Sequence, residues 1–405
     1  MLNRKSVISI MLVLLLTANM FGVAFAASPV DDLLKQLGGV NSAGAVSQSN
    51  SSSGLKDLLL GLVFGTLLNK VFNLPGDVLP GGNKSQGNTN KEVIGFYAEN
   101  WAADPASFNS LKQHYNTIDT VSPFWGTVNG DGTITTRASD NKAELMKFAH
   151  DHKVKTTVLL NNAKSGTSSS PVHQLLNNPE NRTNAVANIE EYVKTNDFAG
   201  VNIDFELVPQ EDRDQLTMFM KELAERLRPQ GFTVAVSVFP KQDEATNDVA
   251  IAYDYAELAK YADQIIIMTY DNHGEWSGPG PVADIRWVES NLKYALQFIP
   301  KNKIYLGIAG YGYDWSSGGT QSLDYTNAME TATKYGANIS WDDAAKTPYF
   351  KYYDAQGEHQ VWFENSRSLG YKLDLVNKYD LKGVALWRLG QEAPDYWQTI
   401  QEKLH

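Results

Sequence analysis

Three polar side chains stand at alternate positions of an otherwise apolar run, Gly200-Val201-Asn202-Ile203-Asp204-Phe205-Glu206. Side chains on a strand alternate faces, so Asn202, Asp204 and Glu206 share one face and Val201, Ile203 and Phe205 the other. Carboxylates buried among apolar neighbours are costly unless they have partners. Two acids on neighbouring same-face positions also cannot both ionise cheaply, which holds one of them protonated near neutral pH. A protonated carboxyl at the open end of a strand is what a general acid requires. Glu206 is therefore the candidate acid and Asp204 its helper. The purely structural alternative is an acid pair held by Arg or by backbone amides, or a solvated strand end.

The elements that must position these groups follow from the hydrophobic pattern. Short apolar runs recur at 93–97, 117–122, 156–160, 200–205, 233–239, 264–270, 304–309 and 383–387, separated by helix-like segments. One such segment, 212–227, places Leu216, Phe219, Met220, Leu223 and Leu227 on one face. Strand–helix alternation implies parallel strands, and eight units predict an α/β fold, a closed (β/α)8 TIM barrel. An open doubly wound sheet is the alternative, but no GxGxxG follows the first strand. The interval 310–382 is too long for one crossover and carries strand-like runs at 349–353 and 360–363 around a turn at 354–357. A small α+β insertion at about 311–365 is expected there, between strand 7 and helix 7, forming one wall of a cleft. Glu206 then ends the fourth strand on the C-terminal rim, where barrel enzymes place catalytic groups.

The acidic strand resembles the D-x-x-D-x-D-x-E strand of glycoside hydrolase family 18, the chitinase family. Its four positions are here Ala199, Asn202, Asp204 and Glu206, so the last two match and the first two depart. Asn at the middle position is similar to the bacterial branch of spore-cortex-lytic and cell-wall N-acetylglucosaminidases. Met268-Thr269-Tyr270-Asp271 resembles the family's M-x-Y-D at the end of the sixth strand. Gly95-Phe96-Tyr97 ends the first strand, where the family often has an aromatic, and Trp387 ends the eighth, where it has a tryptophan flooring the cleaved sugar's site. Residues 361–368 resemble the end of the family's insertion. The third strand departs, with Leu160-Asn161-Asn162 in place of S-x-G-G. The resemblance covers residues 91–404 and lies in its motifs' order.

What the resemblance implies is substrate-assisted, retaining hydrolysis of β-1,4 bonds, an exception to the two-carboxylate rule of glycosidases. The 2-acetamido oxygen of the sugar attacks its own anomeric carbon and gives an oxazolinium ion. Glu206 protonates the leaving oxygen and later activates water, Asp204 orients the acetamido N–H, and Tyr270 binds its carbonyl. Asp271 would take a sugar hydroxyl, Trp387 would stack on the ring, and Asn202, Met268 and Tyr97 would complete the substrate site. No metal and no cofactor is implied. The implied partner is an N-acetylglucosamine-containing glycan, from peptidoglycan or its fragments or from chitin oligomers. Trp125, Trp276 and Trp315, in loops after the second, sixth and seventh strands, are candidate outer sugar platforms. The second reading is a non-catalytic chitin-binding lectin on the same barrel, against which the retained Glu206 argues.

Composition narrows the remaining classes. Lys and Arg number 35 against 46 Asp and Glu, and no basic stripe offers itself to a phosphate backbone, so no nucleic-acid partner is expected. The absence of cysteine excludes disulfides, thiolate metal sites and a Cys nucleophile. Residues 1–26 read as a secretory signal, with Arg4 and Lys5, an apolar stretch and an Ala24-Phe25-Ala26 cleavage pattern. The competing reading is an uncleaved anchor helix. Cleavage removes two cations and no acid, taking the net charge from −11 to −13. A secreted or cell-envelope location in a bacterium follows. Residues 27–90 read as a linker rich in Ser, Asn and Gly around an apolar helix at about 55–74. That helix is expected to pack on the main domain, on a partner or on a membrane surface.

Overall fold

A computed structural model describes residues 91–99, 105–137, 141–162, 170–244 and 248–405. The expected signal, linker and apolar helix of residues 1–90 lie outside the described residues.

The chain opens with β1 (Glu92–Tyr97), α1 (Ala106–His114), β2 (Thr120–Val128), β3 (Ile134–Thr136), α2 (Lys142–Asp151) and β4 (Lys155–Asn162). It continues through α3 (Pro171–Asn177), α4 (Pro179–Thr195), β5 (Gly200–Asp204), α5 (Arg213–Leu227), β6 (Thr233–Val238), α6 (Tyr255–Tyr261), β7 (Gln264–Ile267), α7 (Ile285–Ala295) and β8 (Ile304–Ala309). The strand order β1-β14-β8-β7-β6-β5-β4-β2, with β2 pairing back onto β1, closes an eight-stranded parallel barrel, where β14 is Gly383–Trp387. The second strand begins and ends later than its apolar run, because beyond Pro123 it bulges between Phe124 and Gly126 and then pairs antiparallel with β3.

The strands read as near-continuous apolar runs because both faces are covered, as parallel sheets require. Val158, Val201, Ile203, Val234, Val236, Ile265, Ile267 and Val384 face the helices. Ile94, Phe96, Leu159, Ala235, Ile266, Tyr305 and Ala385 fill the interior. The helices turn one apolar stripe to this layer, as Leu216, Phe219, Met220, Leu223 and Leu227 of α5 do. Their starts are fixed locally. Asn178 caps α4 by accepting from the Glu180 and Asn181 amides, with Pro179 in the first turn.

Between β8 and the last barrel unit the chain builds an insertion: β9 (Tyr311–Ser316), β10 (Gly319–Asp324), α8 (Tyr325–Lys334), β11 (Ser340–Asp342), β12 (Thr347–Asp354) and β13 (Gly357–Phe363). Its five strands form an antiparallel sheet in the order β10-β9-β13-β12-β11. Phe350, Tyr352, Val361 and Phe363 pack on Ala328 and Ala332 of α8. The opposite face sends Tyr311, Tyr313, Trp315 and Trp362 against Met268, Tyr270 and Val282 on the barrel rim. The chain then returns through α9 (Ser366–Lys378), opened by an Asn365/Ser368 capping box, to β14 and α10 (Tyr396–Leu404).

Candidate active site

The fourth barrel strand, β5, carries Asn202 and Asp204 as its alternation requires, and Glu206 follows just past its end. Val201, Ile203 and Phe205 are buried against the helices, while Asn202 and Asp204 are buried on the other side. Asp204 is 7% exposed, and Glu206, two residues past it and beyond the end of the strand, is partly exposed. The strand ends where side chains take over its hydrogen bonds. The Glu206 amide donates to Asn162 Oδ1 at 2.7 Å, and Asn162 Nδ2 donates to the Glu206 carbonyl at 3.0 Å. The Tyr253 hydroxyl donates to the Phe205 carbonyl at 2.5 Å. Leu207 follows at φ +53°, a left-handed conformation uncommon for a non-glycine residue, and the chain turns away.

Tyr270 and Met268 project inward from the chain just past β7 and are buried. Burial, with the negative charges of Asp204, Asp271 and Glu206, pushes the Tyr270 hydroxyl well above its usual range. It therefore keeps its proton and acts as a hydrogen-bond donor. Asp271, next along, sits at φ +58° and accepts hydrogen bonds from the hydroxyls of Tyr311 at 2.6 Å and Tyr313 at 2.9 Å on the insertion. Burial raises its carboxyl above 3.8, and the two hydroxyls offset part of that rise. Trp387 ends β14 partly exposed, its ring tilted against Phe96 at 5.5 Å and Phe124 at 6.4 Å. Asp271 and Trp387 border one cavity of about 370 Å³, closed on the insertion side by Asp324 and Asn327 and on the barrel side by Arg388 and Gln391. A partly exposed indole beside polar side chains is a surface on which a sugar can stack and hydrogen-bond.

Two expected site residues stand elsewhere. Tyr97 is 0% exposed and packs with Val93 and Trp125 in the layer under the helices. Phe96, not Tyr97, faces the interior of β1, because alternation puts it beside Ile94. Asn202 is 2% exposed, and its amide donates to Ser237 Oγ on β6 at 3.0 Å. It lies in the layer beneath Asp204 and tethers β5 to β6. Of the three tryptophans expected as outer platforms, Trp276 is 68% exposed, whereas Trp125 and Trp315 are buried. The Trp315 indole donates to the carbonyls of Gly274 and Ser277 and so holds the loop that carries Trp276.

Sequence reasoning missed Asn162, Tyr253, Tyr311 and Tyr313. Asn162 was visible as a departure from the family pattern, and the Tyr311-Gly312-Tyr313 spacing is a period-2 strand signal. Neither signal by itself names a partner.

Known proteins match this architecture. The family model for glycosyl hydrolases family 18 covers residues 92–392. YdhD of Bacillus subtilis, a glycosylase assigned to sporulation, is 36% identical over 256 residues, which are 62% of this chain and 61% of that protein. The chain thus spans about three fifths of that relative's length. The crystal structure of a chitinase from Chromobacterium violaceum is similar at a TM-score of 0.71 and 29% identity, covering 78% of this chain and 99% of that one. The Bacillus cereus spore cortex-lytic enzyme SleL is similar at 0.71 and 25% identity, covering 78% and 74%. The barrel, its acidic strand and a match over most of the chain make this protein a member of glycosyl hydrolases family 18.

Proposed function

We propose that this protein is an exported glycosidase that hydrolyses β-1,4 bonds in N-acetylglucosamine-containing glycans, with peptidoglycan or its fragments as the favoured substrate and chitin oligomers as the rival. The observation that carries this reading is the convergence of the buried Asp204 and the partly exposed Glu206, at and just past the end of the fourth barrel strand, on the buried Tyr270 hydroxyl. An acid, a second carboxylate and a fixed hydroxyl donor are the groups that substrate-assisted hydrolysis needs. Glu206, the partly exposed acid, protonates the leaving oxygen and then takes a proton from water. Asp204, more deeply buried, stays beneath and orients the acetamido N–H, so that its oxygen attacks the anomeric carbon. Its negative charge stabilises the oxazolinium ion. Tyr270 donates to the acetamido carbonyl oxygen. Asp271 receives a sugar hydroxyl with the oxygen that the two tyrosines leave, and Trp387 supports the ring. Met268 packs under this site, and Asn202 supports Asp204 from below. The favoured substrate is supported by the similarity to YdhD and SleL, and the rival by the similarity to the chitinase.

The test is product analysis by mass spectrometry with peptidoglycan and chitin oligomers offered side by side and Glu206→Gln as control. Cleavage of peptidoglycan alone supports a wall-remodelling enzyme, and cleavage of chitin oligomers alone moves the assignment to the chitinases. Tight binding without cleavage of either overturns the reading in favour of a glycan-binding protein. Hydrolysis by Glu206→Gln at a near-wild-type rate removes Glu206 as the acid.

A further inference from the structure

The parallel ladder between β4 and β5 ends at the pair Asn161 and Asp204, two residues short of Glu206. Past that point one side chain meets both main-chain groups of residue 206. Asn162 accepts from the Glu206 amide and donates to its carbonyl, at 2.7 and 3.0 Å. A carboxamide carries one acceptor and one donor at nearly the spacing of a peptide group, so it can stand in for the next residue of a neighbouring strand. Glycine and alanine offer neither group, and an ionised aspartate offers no donor. Tyr253, fully buried, fixes the preceding peptide through the Phe205 carbonyl. Two successive peptide units are thus held by three side-chain hydrogen bonds just before the chain turns at Leu207.

We infer that Asn162 is a positioning residue for the general acid: its side chain continues the sheet past the end of β5 and fixes the direction in which Glu206 leaves the backbone, with Tyr253 bracing the peptide before it. The inference rests on the proposed role of Glu206. The Glu206 carboxyl hangs from its backbone by two methylenes, so a tilt of that peptide carries the acid away from the bond it protonates. A misplacement of about 1 Å can lower a rate by roughly 100-fold.

The experiment uses the full mature protein with Asn162→Ala and Asn162→Asp, the latter keeping the acceptor and losing the donor. On a cleavable N-acetylglucosamine oligomer, kcat should fall roughly 10- to 100-fold in Asn162→Ala, with KM changed less than about threefold. The same change in a Glu206→Gln background should alter the residual rate less than about twofold, because the group being positioned is already gone. An unchanged kcat, or an equal loss in the Glu206→Gln background, overturns the assignment. Should Asn162→Ala not fold, Asn162→Asp carries the same comparison. A readout independent of turnover separates this inference from the functional one. Carbon-13 titration of glutamate carboxyls, with Glu206→Gln identifying the signal, should show the Glu206 midpoint moved in Asn162→Ala, which introduces no charge of its own. An unmoved midpoint overturns the clamp even if no glycan is cut, whereas a moved midpoint without glycan cleavage leaves the clamp standing and removes the proposed activity.

Discussion

The Tyr311 hydroxyl donates to Asp271 Oδ1 at 2.6 Å, so a carboxyl of the barrel rim is held by a donor from the insertion. Tyr313 donates to the same oxygen. Burial nonetheless dominates and keeps the Asp271 carboxyl above its ordinary 3.8. The folded protein therefore retains a proton there that the unfolded chain releases. Below pH 3.8 both states are protonated and ionisation costs nothing. As pH rises from 3.8 through the raised value the fold loses stability, and above that value the loss is complete. Asparagine keeps the oxygen acceptor and has no charge to bury. Asp271→Asn should gain on the wild type across that window, at a slope approaching ~1.4 kcal/mol per pH unit. Thermal midpoints of both proteins between about pH 3.5 and 7 check this, and a difference that does not grow with pH refutes it.

Much of the barrel was legible because its signals are local. An apolar run bounded by an amphipathic segment is a strand followed by a helix wherever both sheet faces are covered. The acidic face of β5 was legible for the same reason, since alternation alone assigns Asn202 and Asp204 to one side. The resemblance points to Tyr97 through an aromatic at the strand end, whereas alternation turns Phe96 to the barrel interior and Tyr97 to the layer under the helices. The partners of Asn162, Tyr253, Tyr311 and Tyr313 were not legible. Asn162 lies 44 positions from Glu206, Tyr253 lies 48 from Phe205, and Tyr311 lies 40 from Asp271. Pairings across such distances are set by register and by the docking of the insertion, which no local period records.

The insertion is tied to the barrel by an ion pair that water does not reach. Lys372 of α9 donates to Glu364 Oε2 at 2.6 Å, and the two side chains are 2% and 1% exposed. Ser368 donates to the same oxygen, also at 2.6 Å. Burial pulls the Glu364 carboxyl upward, and Lys372 and Ser368 pull it back. Lys372→Met leaves the carboxylate without its cation and should lower the free energy of unfolding by ~3–5 kcal/mol. Combining it with Glu364→Gln should recover most of that loss, because a neutral amide costs less to bury. Urea unfolding of the single and double variants at pH 7 measures both effects. A double variant as unstable as Lys372→Met would show that packing, not the pair, holds this junction.

Barrel closure depends on a glycine. Gly383 opens β14 opposite Glu92 of β1, and a methyl carbon there would stand 1.8 Å from the Glu92 carbonyl oxygen and 2.7 Å from its carbon. Both atoms belong to the backbone, so no side-chain rotation relieves the clash. Gly383→Ala must spread the β1–β14 seam and should cost ~1–3 kcal/mol or more. Denaturant unfolding reads the loss. A variant within about 0.5 kcal/mol of wild type would mean that the seam yields freely.

Trp276 and Trp315 are one loop contact apart and should behave as opposites. Trp276 is 68% exposed and covers little beyond Gly274, so Trp276→Ala should change stability by less than about 0.5 kcal/mol. Trp315 is 5% exposed and donates to two carbonyls of the Trp276 loop, so Trp315→Ala should cost ~3–5 kcal/mol and release that loop. If Trp276 is a sugar platform, its loss should raise KM several-fold for long oligomers and leave short ones unaffected, with kcat unchanged. Trp315→Ala should weaken long oligomers to the same degree, because the platform it supports is no longer held. Steady-state kinetics on an oligomer series, alongside thermal melts, separate the two roles. An equal effect of Trp276→Ala on short and long oligomers would place that ring at the cleaved bond rather than beyond it.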